Sequence, residues 1–252
     1  MAGLPAELLA LADTFNEMLD RLEESFGRLA RFSTDIAHEL RTPVNNLRGE
    51  VEVALGKPRG PEEYRDVLGS CLEECGRLAR LIDSLLFLAR AESPQAPVAR
   101  EPLDVGRELA TIRAFYEAAA AEAGVTLAVA APDGVVAALD RTLFQRAVGN
   151  LVANALAHTP AGGSVTLRAA ADGDRLRVEV ADTGSGIAPE HLPHVFDRFY
   201  RADPARATAD GRVGLGLAIV KSIAELHGGT AAVVSTPGQG TRVTLRFPAA
   251  PR

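Results

Sequence analysis

The chain has 252 residues, room for one large domain or two smaller ones, and 47% of them are hydrophobic, an ordinary globular share. A formal net charge of -6 argues against a nucleic-acid binder, which would carry a basic face. No apolar run approaches the ~18 residues of a bilayer span: the longest, around Ala118 to Leu139, is cut by Glu122 and Asp133, and acids at Glu7 and Asp13 do not suit a signal peptide. As it stands the chain reads as soluble and cytoplasmic.

Apolar residues open the chain at Leu8, Leu11, Phe15, Met18, Leu22, Leu29, Phe32 and Ile36, in steps of three and four interrupted only at Ser25. That is a heptad seam, which one helix cannot bury alone. The spacing then changes to Ile36, Leu40, Val44, Leu47, Val51, and its successive steps of four make a stutter that locally unwinds a coiled coil. A second stripe runs through Tyr64, Leu68, Cys71, Cys75, Leu78, Ile82, Leu85 and Ala89. Both cysteines fall on this seam, which favours packing positions over a metal or redox pair. The breakers Gly56-Lys57-Pro58-Arg59-Gly60-Pro61 separate the stripes, so the segment predicts an antiparallel helical hairpin. Two helices make a thin core, and a homodimer forming a four-helix bundle is expected.

His38 stands two residues from both Ile36 and Leu40, so at ~100° per residue it points off the seam. Asp35, Arg41 and Thr42 share its face. Pro43, inside the helix, removes one backbone bond and bends the chain. A histidine beside a stutter and a kink is a candidate site; a plain solvated histidine is the alternative.

Ser93-Pro94-Gln95-Ala96-Pro97 reads as a linker, after which heptads give way to alternating elements. The pattern predicts a helix over 104–123, a strand near 125–129, a helix over 140–158 with Asp140 as N-cap, and strands near 164–170 and 175–181 around an Asp-Gly-Asp turn. Glycine and proline then punctuate 183–211, a helix covers 215–227, and strands near 230–235 and 241–247 close the chain. The expected architecture is a mixed sheet with helices on one face. Gly214-Leu215-Gly216-Leu217 opens a helix, whose free N–H groups suit a phosphate, although tight turns alone explain many glycines. Asn150 and Asn154 lie one turn apart on one face and are either oxygen donors for Mg²⁺ or capping amides. Asp182 ends a strand, where it either accepts from a ligand amine or starts a turn.

In combination these segments resemble the sensor histidine kinases of two-component systems, across nearly the whole chain and in family order. Phe32-Ser33-Thr34-Asp35-Ile36-Ala37-His38-Glu39-Leu40-Arg41-Thr42-Pro43 is similar to the histidine box, and Asn150-Leu151-Val152-Ala153-Asn154-Ala155 to the asparagine box. Asp182-Thr183-Gly184-Ser185-Gly186-Ile187 resembles the first glycine box, and Phe196-Asp197-Arg198-Phe199-Tyr200-Arg201 the phenylalanine box. The second and third glycine boxes are resembled by 214–220 and by Gly238-Gln239-Gly240-Thr241. The start of the chain, with Leu4-Pro5-Ala6-Glu7-Leu8 and Phe15-Asn16-Glu17-Met18-Leu19, is similar to the second helix of a HAMP signalling module, which follows a transmembrane helix. Its wording is nearest the heavy-metal, copper-type sensors, so the chain reads as the cytoplasmic part of a membrane receptor.

The resemblance implies residues 1–31 as HAMP-like helix, 32–92 as dimerisation and phosphotransfer hairpin, 93–99 as linker, and 100–249 as an α/β-sandwich ATP-binding domain of the gyrase, chaperone and histidine-kinase type. It implies ATP and Mg²⁺ as cofactors, with His38 as nucleophile, Glu39 as general base and Thr42 orienting water for a reverse phosphatase activity. Asn150 would hold Mg²⁺, Asn154 and His158 face the phosphates, Asp182 read the adenine amine, and Arg201 reach the γ-phosphate. Gly184, Gly186, Ile187, Gly214, Leu215, Gly216, Leu217 and Thr241 would line the nucleotide, under a lid over 203–211. The implied partner is a response-regulator receiver domain. Two departures stand out: Ala157 and His158 replace the usual Lys and Tyr, and Arg212 and Val213 replace the usual Gly and Thr or Ser. They leave room for a nucleotide-binding scaffold of weak turnover, or a phosphatase-dominant homologue. An ATPase of the gyrase or chaperone type is a further rival, against which the histidine hairpin argues.

Overall fold

The computed structural model describes residues 6–91, 93, 97–132, 134–202 and 213–248. The expected lid at 203–211, most of the Ser93–Pro97 linker and the first residues of the HAMP-like segment lie outside them. The chain divides into two compact units, up to Ala79 and from Arg80.

The first unit holds the hairpin up to Ala79. Helix α1 spans Ala6–Leu55 as 50 unbroken residues, with Pro43 inside it. Pro43 has no N–H, so the donor that the Glu39 carbonyl would otherwise meet is missing. The connection is capped locally. Gly56 N–H donates to Glu52 O, the Arg59 guanidinium donates to Val53 O at 3.2 Å, and Gly60 N–H donates to the Glu63 carboxylate at 3.1 Å. Pro61 then starts helix α2 (Pro61–Ala91), with Glu62 and Glu63 in its first turn, a favourable end for both residue types. The helices are antiparallel neighbours: Ser70 Oγ donates to Glu50 Oε1 at 3.0 Å and Cys71 Sγ contacts Glu50 Oε2 at 3.7 Å. Partial burial and that carboxylate raise the Cys71 thiol above its ordinary pKa. Cys75 is exposed, and among the described residues no three potential ligands gather to hold a metal.

The second unit takes in the last turns of α2, where Leu81, Leu85 and Leu88 are buried and the Arg146 guanidinium lies 4.5 Å from the Phe87 ring centre. Then follow β1 (Glu101–Asp104), α3 (Val105–Glu122), β2 (Thr126–Ala130), β3 (Val136–Leu139), α4 (Arg141–His158), β4 (Ser164–Asp172), β5 (Arg175–Asp182), a single 3-10 turn at Leu192–His194, α5 (Gly216–Leu226), β6 (Thr230–Thr236) and β7 (Gly240–Pro248). The main sheet runs β2-β4-β5-β7-β6, with β2 parallel to β4 and the other pairs antiparallel. The mixed sheet is the expected one; the small antiparallel sheet β1-β3 is not. Its strands have four residues each and β1 contains Pro102, too short for an alternating pattern to declare itself.

The core lies between this sheet and α3, α4 and α5. Phe144, Phe247, Leu109, Leu139, Leu167, Ile223 and Leu245 are fully buried, each worth roughly 1.5–3 kcal/mol in transfer terms. Phe144 and Phe247 meet edge to face at 6.2 Å. Two buried polar groups are fully partnered. Glu108 receives the Arg141 guanidinium on Oε1 at 2.7 and 3.0 Å and Gln145 Nε2 on Oε2 at 2.7 Å. His227 donates from Nδ1 to Ile223 O at 2.8 Å and accepts the Asp140 N–H on Nε2 at 3.0 Å. Asp140 caps α4, as its sequence position predicts, by accepting Leu143 N–H at 3.0 Å.

Candidate functional site

Within the second unit, three glycine-bearing turns and the face of α4 converge. Asn150 and Asn154 project from one side of α4, and a Cβ placed on Gly216 would stand 3.3 Å from Asn150 Oδ1 and 3.6 Å from Asn154 Nδ2. The asparagine pair therefore meets the turn that opens α5, the segment whose N–H groups have no intrahelical partners. Asn150 Nδ2 donates to Arg146 O at 2.8 Å, which fixes the amide with its oxygen as the remaining ligand atom.

Asp182, at the end of β5, accepts Gly184 N–H at 2.8 Å and Thr241 N–H at 3.1 Å, both on Oδ1. That carboxylate joins the first and third glycine turns and keeps Oδ2 for a further donor. Gly240, with φ 88°, has no space for a side chain because the Asp182 carbonyl sits against it. Ile187 N–H donates to Ser235 Oγ at 2.8 Å, and Ser235 in turn donates to Gly240 O at 2.8 Å. Ser235 thus holds two of the turns together, a role that a serine near the end of a strand does not announce in sequence.

The other expected residues have definite places. His158 ends α4, and its carbonyl accepts Ser185 N–H at 3.1 Å, so its backbone braces the first glycine turn. Gly186 is packed against the end of β6, where a Cβ would collide with Thr236 O. Leu215 is buried, while Leu217 and Arg201 are half-buried. Ala157 is exposed and Val213 half-buried; Arg212 lies outside the described residues.

On the hairpin, the His38 side chain is 76% exposed and its Nδ1 lies 3.8 Å from Glu39 Oε1. That distance is too long for a hydrogen bond. Thr42 is exposed one turn further along α1.

Residues 28–94 match the His Kinase A (phospho-acceptor) domain, and residues 139–251 match the histidine kinase-, DNA gyrase B- and HSP90-like ATPase domain. Sensor protein IrlS of Burkholderia pseudomallei is 45% identical over 96% of this chain and 52% of its own length. Sensor histidine kinase CusS of Escherichia coli is 43% identical over 98% of this chain and 51% of its own. The chain thus spans about half the length of the curated relatives it matches. Full-length ShkA, crystallised in complex with AMPPNP, superposes with a TM-score of 0.68 at 29% identity, over 86% of this chain and 45% of that one. Histidine kinase ThkA, solved in complex with response regulator protein TrrA, gives 0.69 at 19% identity over 98% of this chain and 68% of its own, a likeness of fold.

Proposed function

The chain belongs to the sensor histidine kinases, in the group of IrlS and CusS, and on that premise we propose that it phosphorylates its own His38 from Mg-ATP and passes the group to an aspartate of a response-regulator receiver domain. ATP binding belongs to the matched ATPase domain; the metal, the transfer and the partner are the proposal. The observation that supports it most is the meeting of Asn150 and Asn154 with the Gly216 turn, beside an Asp182 carboxylate with one oxygen to spare.

The donor set fits Mg²⁺ with phosphates: the fixed Asn150 amide oxygen suits a hard cation, and the N–H groups at the start of α5 suit the phosphate oxygens that would accompany it. Held by Asn150, the ion would neutralise charge on the phosphates. Asp182 takes the adenine amine on its free oxygen, and Asn154 and the Gly214–Leu217 turn orient the phosphate chain. Glu39 takes the proton from His38 Nδ1, so that Nε2 forms the N–P bond as the γ-phosphorus–oxygen bond to ADP breaks. The phosphoryl group then leaves Nε2 for a receiver carboxylate. Thr42, a turn away, orients water for the reverse hydrolysis. The hairpin acts as a homodimer, the state its phospho-acceptor family and its exposed seam support. The membrane-bound, metal-sensing and HAMP portions of a full receptor belong to the same proposal, with this portion on the cytoplasmic side.

Incubation with γ-labelled ATP and Mg²⁺ tests the reading on wild type and His38→Gln. Acid-labile, alkali-stable label on wild type alone is the expected result. No label on either protein, with ATP bound, would overturn it in favour of a scaffold or phosphatase-dominant homologue. The exposed methyl of Ala157, which offers the phosphates no charge, is the feature on which that second reading stands.

A further inference from the structure

The segment between the first glycine turn and the phosphate-facing turn carries a polar clasp that the mechanism above leaves unused. His191 Nδ1 and Tyr200 Oη share a hydrogen bond at 2.8 Å. The His194 ring lies against the same tyrosine, centroids 5.3 Å apart, and His194 Nδ1 bonds Asp197 Oδ2 at 3.0 Å. The residue just before the tyrosine, Phe199, has φ 61° and is the one non-glycine with positive φ among the described residues. A bulky residue in that region is held at a cost of about 1–2 kcal/mol, so its surroundings must impose the conformation.

What the bent segment touches is the phosphate-facing turn itself. Phe199 N–H donates to Gly214 O at 3.0 Å. Gly214, at φ 76°, has no space for a Cβ: one would lie 2.8 Å from Phe199 C and 2.9 Å from Tyr200 O. Gly214 leads directly to Leu215, the N-cap of α5, and to Gly216, beside Asn150. A line of direct contacts therefore runs from the His191 ring through the Tyr200 hydroxyl and backbone to the turn that stands against the asparagine pair.

We propose that His191 is a positioning residue for nucleotide binding: through Tyr200 it fixes the Gly214–Gly216 turn at the phosphate chain without touching the nucleotide. This rests on the assignment of that turn to the phosphates. Both histidine and tyrosine are half-buried, so removing their bond does not empty the core.

The experiment compares Mg-ATP and adenosine binding by calorimetric titration, with the thermal midpoint alongside, for wild type, His191→Ala, His191→Asn and Tyr200→Phe in the full chain. Loss of one such bond is expected to weaken Mg-ATP about five- to tenfold in His191→Ala and in Tyr200→Phe. His191→Asn, which retains a polar atom near the Nδ1 position, stays within about twofold of wild type, adenosine binding is unchanged throughout, and the double variant is no worse than either single one. Unchanged Mg-ATP affinity in Tyr200→Phe overturns the inference. So does a loss shared equally by adenosine and accompanied by a lower midpoint, which is a merely structural effect. Wild type that binds ATP no better than adenosine overturns the phosphate assignment itself and the inference with it. Labelling of His38 does not enter these readings, so failure of the autokinase is seen separately.

Discussion

Asp182 uses one carboxylate oxygen to join two turns and has the other to offer. Asp182→Asn is expected to weaken Mg-ATP by at least about tenfold, since an amide either loses a backbone bond or presents a donor to the adenine amine; titration calorimetry reads it. His227 makes a different statement. Burial first, and Arg100 after it, lower its pKa below the ordinary imidazole value, while the bond to Ile223 and the Asp140 carboxylate oppose. The folded protein therefore binds this proton less readily than the unfolded chain. Its contribution is complete above pH ~6.5 and is lost as the pH falls through that value, at up to ~1.4 kcal/mol per unit. Urea unfolding between pH 7.5 and 5.5 is expected to show that slope, and His227→Gln to flatten it. In sequence, Asp182 is marked by the glycines that follow it. His227 is not marked, because its partners lie on α4 and on its own helix and only folding brings them together.

Helices and long strands were legible because their periods run over many residues. The Asp140 cap and the turns around β4, β5 and β7 carry their own chemistry in short words of sequence. The strands β1 and β3 were not legible: each is defined by the other, across the whole of α3. The same holds for the partners of α3. Glu108 reads as a surface residue of an amphipathic helix, yet it is 2% exposed and tied to α4 by Arg141 and Gln145. Arg141→Ala removes both donors from one oxygen of a buried carboxylate. It is expected to cost about 2 kcal/mol, measured as a lower urea midpoint with unchanged slope. Glu108 and Arg141 replaced together by Leu and Met should recover most of the loss, since no buried charge is then left unpaired.

For the molecule as a whole, the seam read from sequence is partly bare in the single chain. Leu68 is 68% exposed and its neighbour Leu72 74%. A two-fold partner would cover each twice per dimer, at ~2 kcal/mol each time. Leu68→Glu is accordingly expected to raise the dimer dissociation constant more than a hundredfold, seen by light scattering across a dilution series. Label on His38 should be lost in parallel. The change of period puts a linker at 93–99, whereas the compact units divide between Ala79 and Arg80, so that the last turns of α2, with Leu81, Leu85 and Leu88 buried, fall in the second unit. Of those leucines only Leu85 lies on the seam read from sequence, which runs on through Ala89 without a change of period, so nothing in the pattern marks that division.

Helix α1 has 50 residues, and at ~1.5 Å each it is a beam about 75 Å long. A beam of uniform stiffness spreads an applied torque along its whole length, and no single residue feels much of it. This beam is notched at Pro43, and the severed rung is the one that starts from Glu39. Bending or twist delivered to either end is relieved first at the notch, where the missing bond would start at Glu39, one residue from His38. The proposed phospho-acceptor would thus sit beside the point of greatest mechanical compliance. Pro43→Ala would mend the notch, stiffen that point, and shift the balance between label gained and label hydrolysed, measured as the two initial rates.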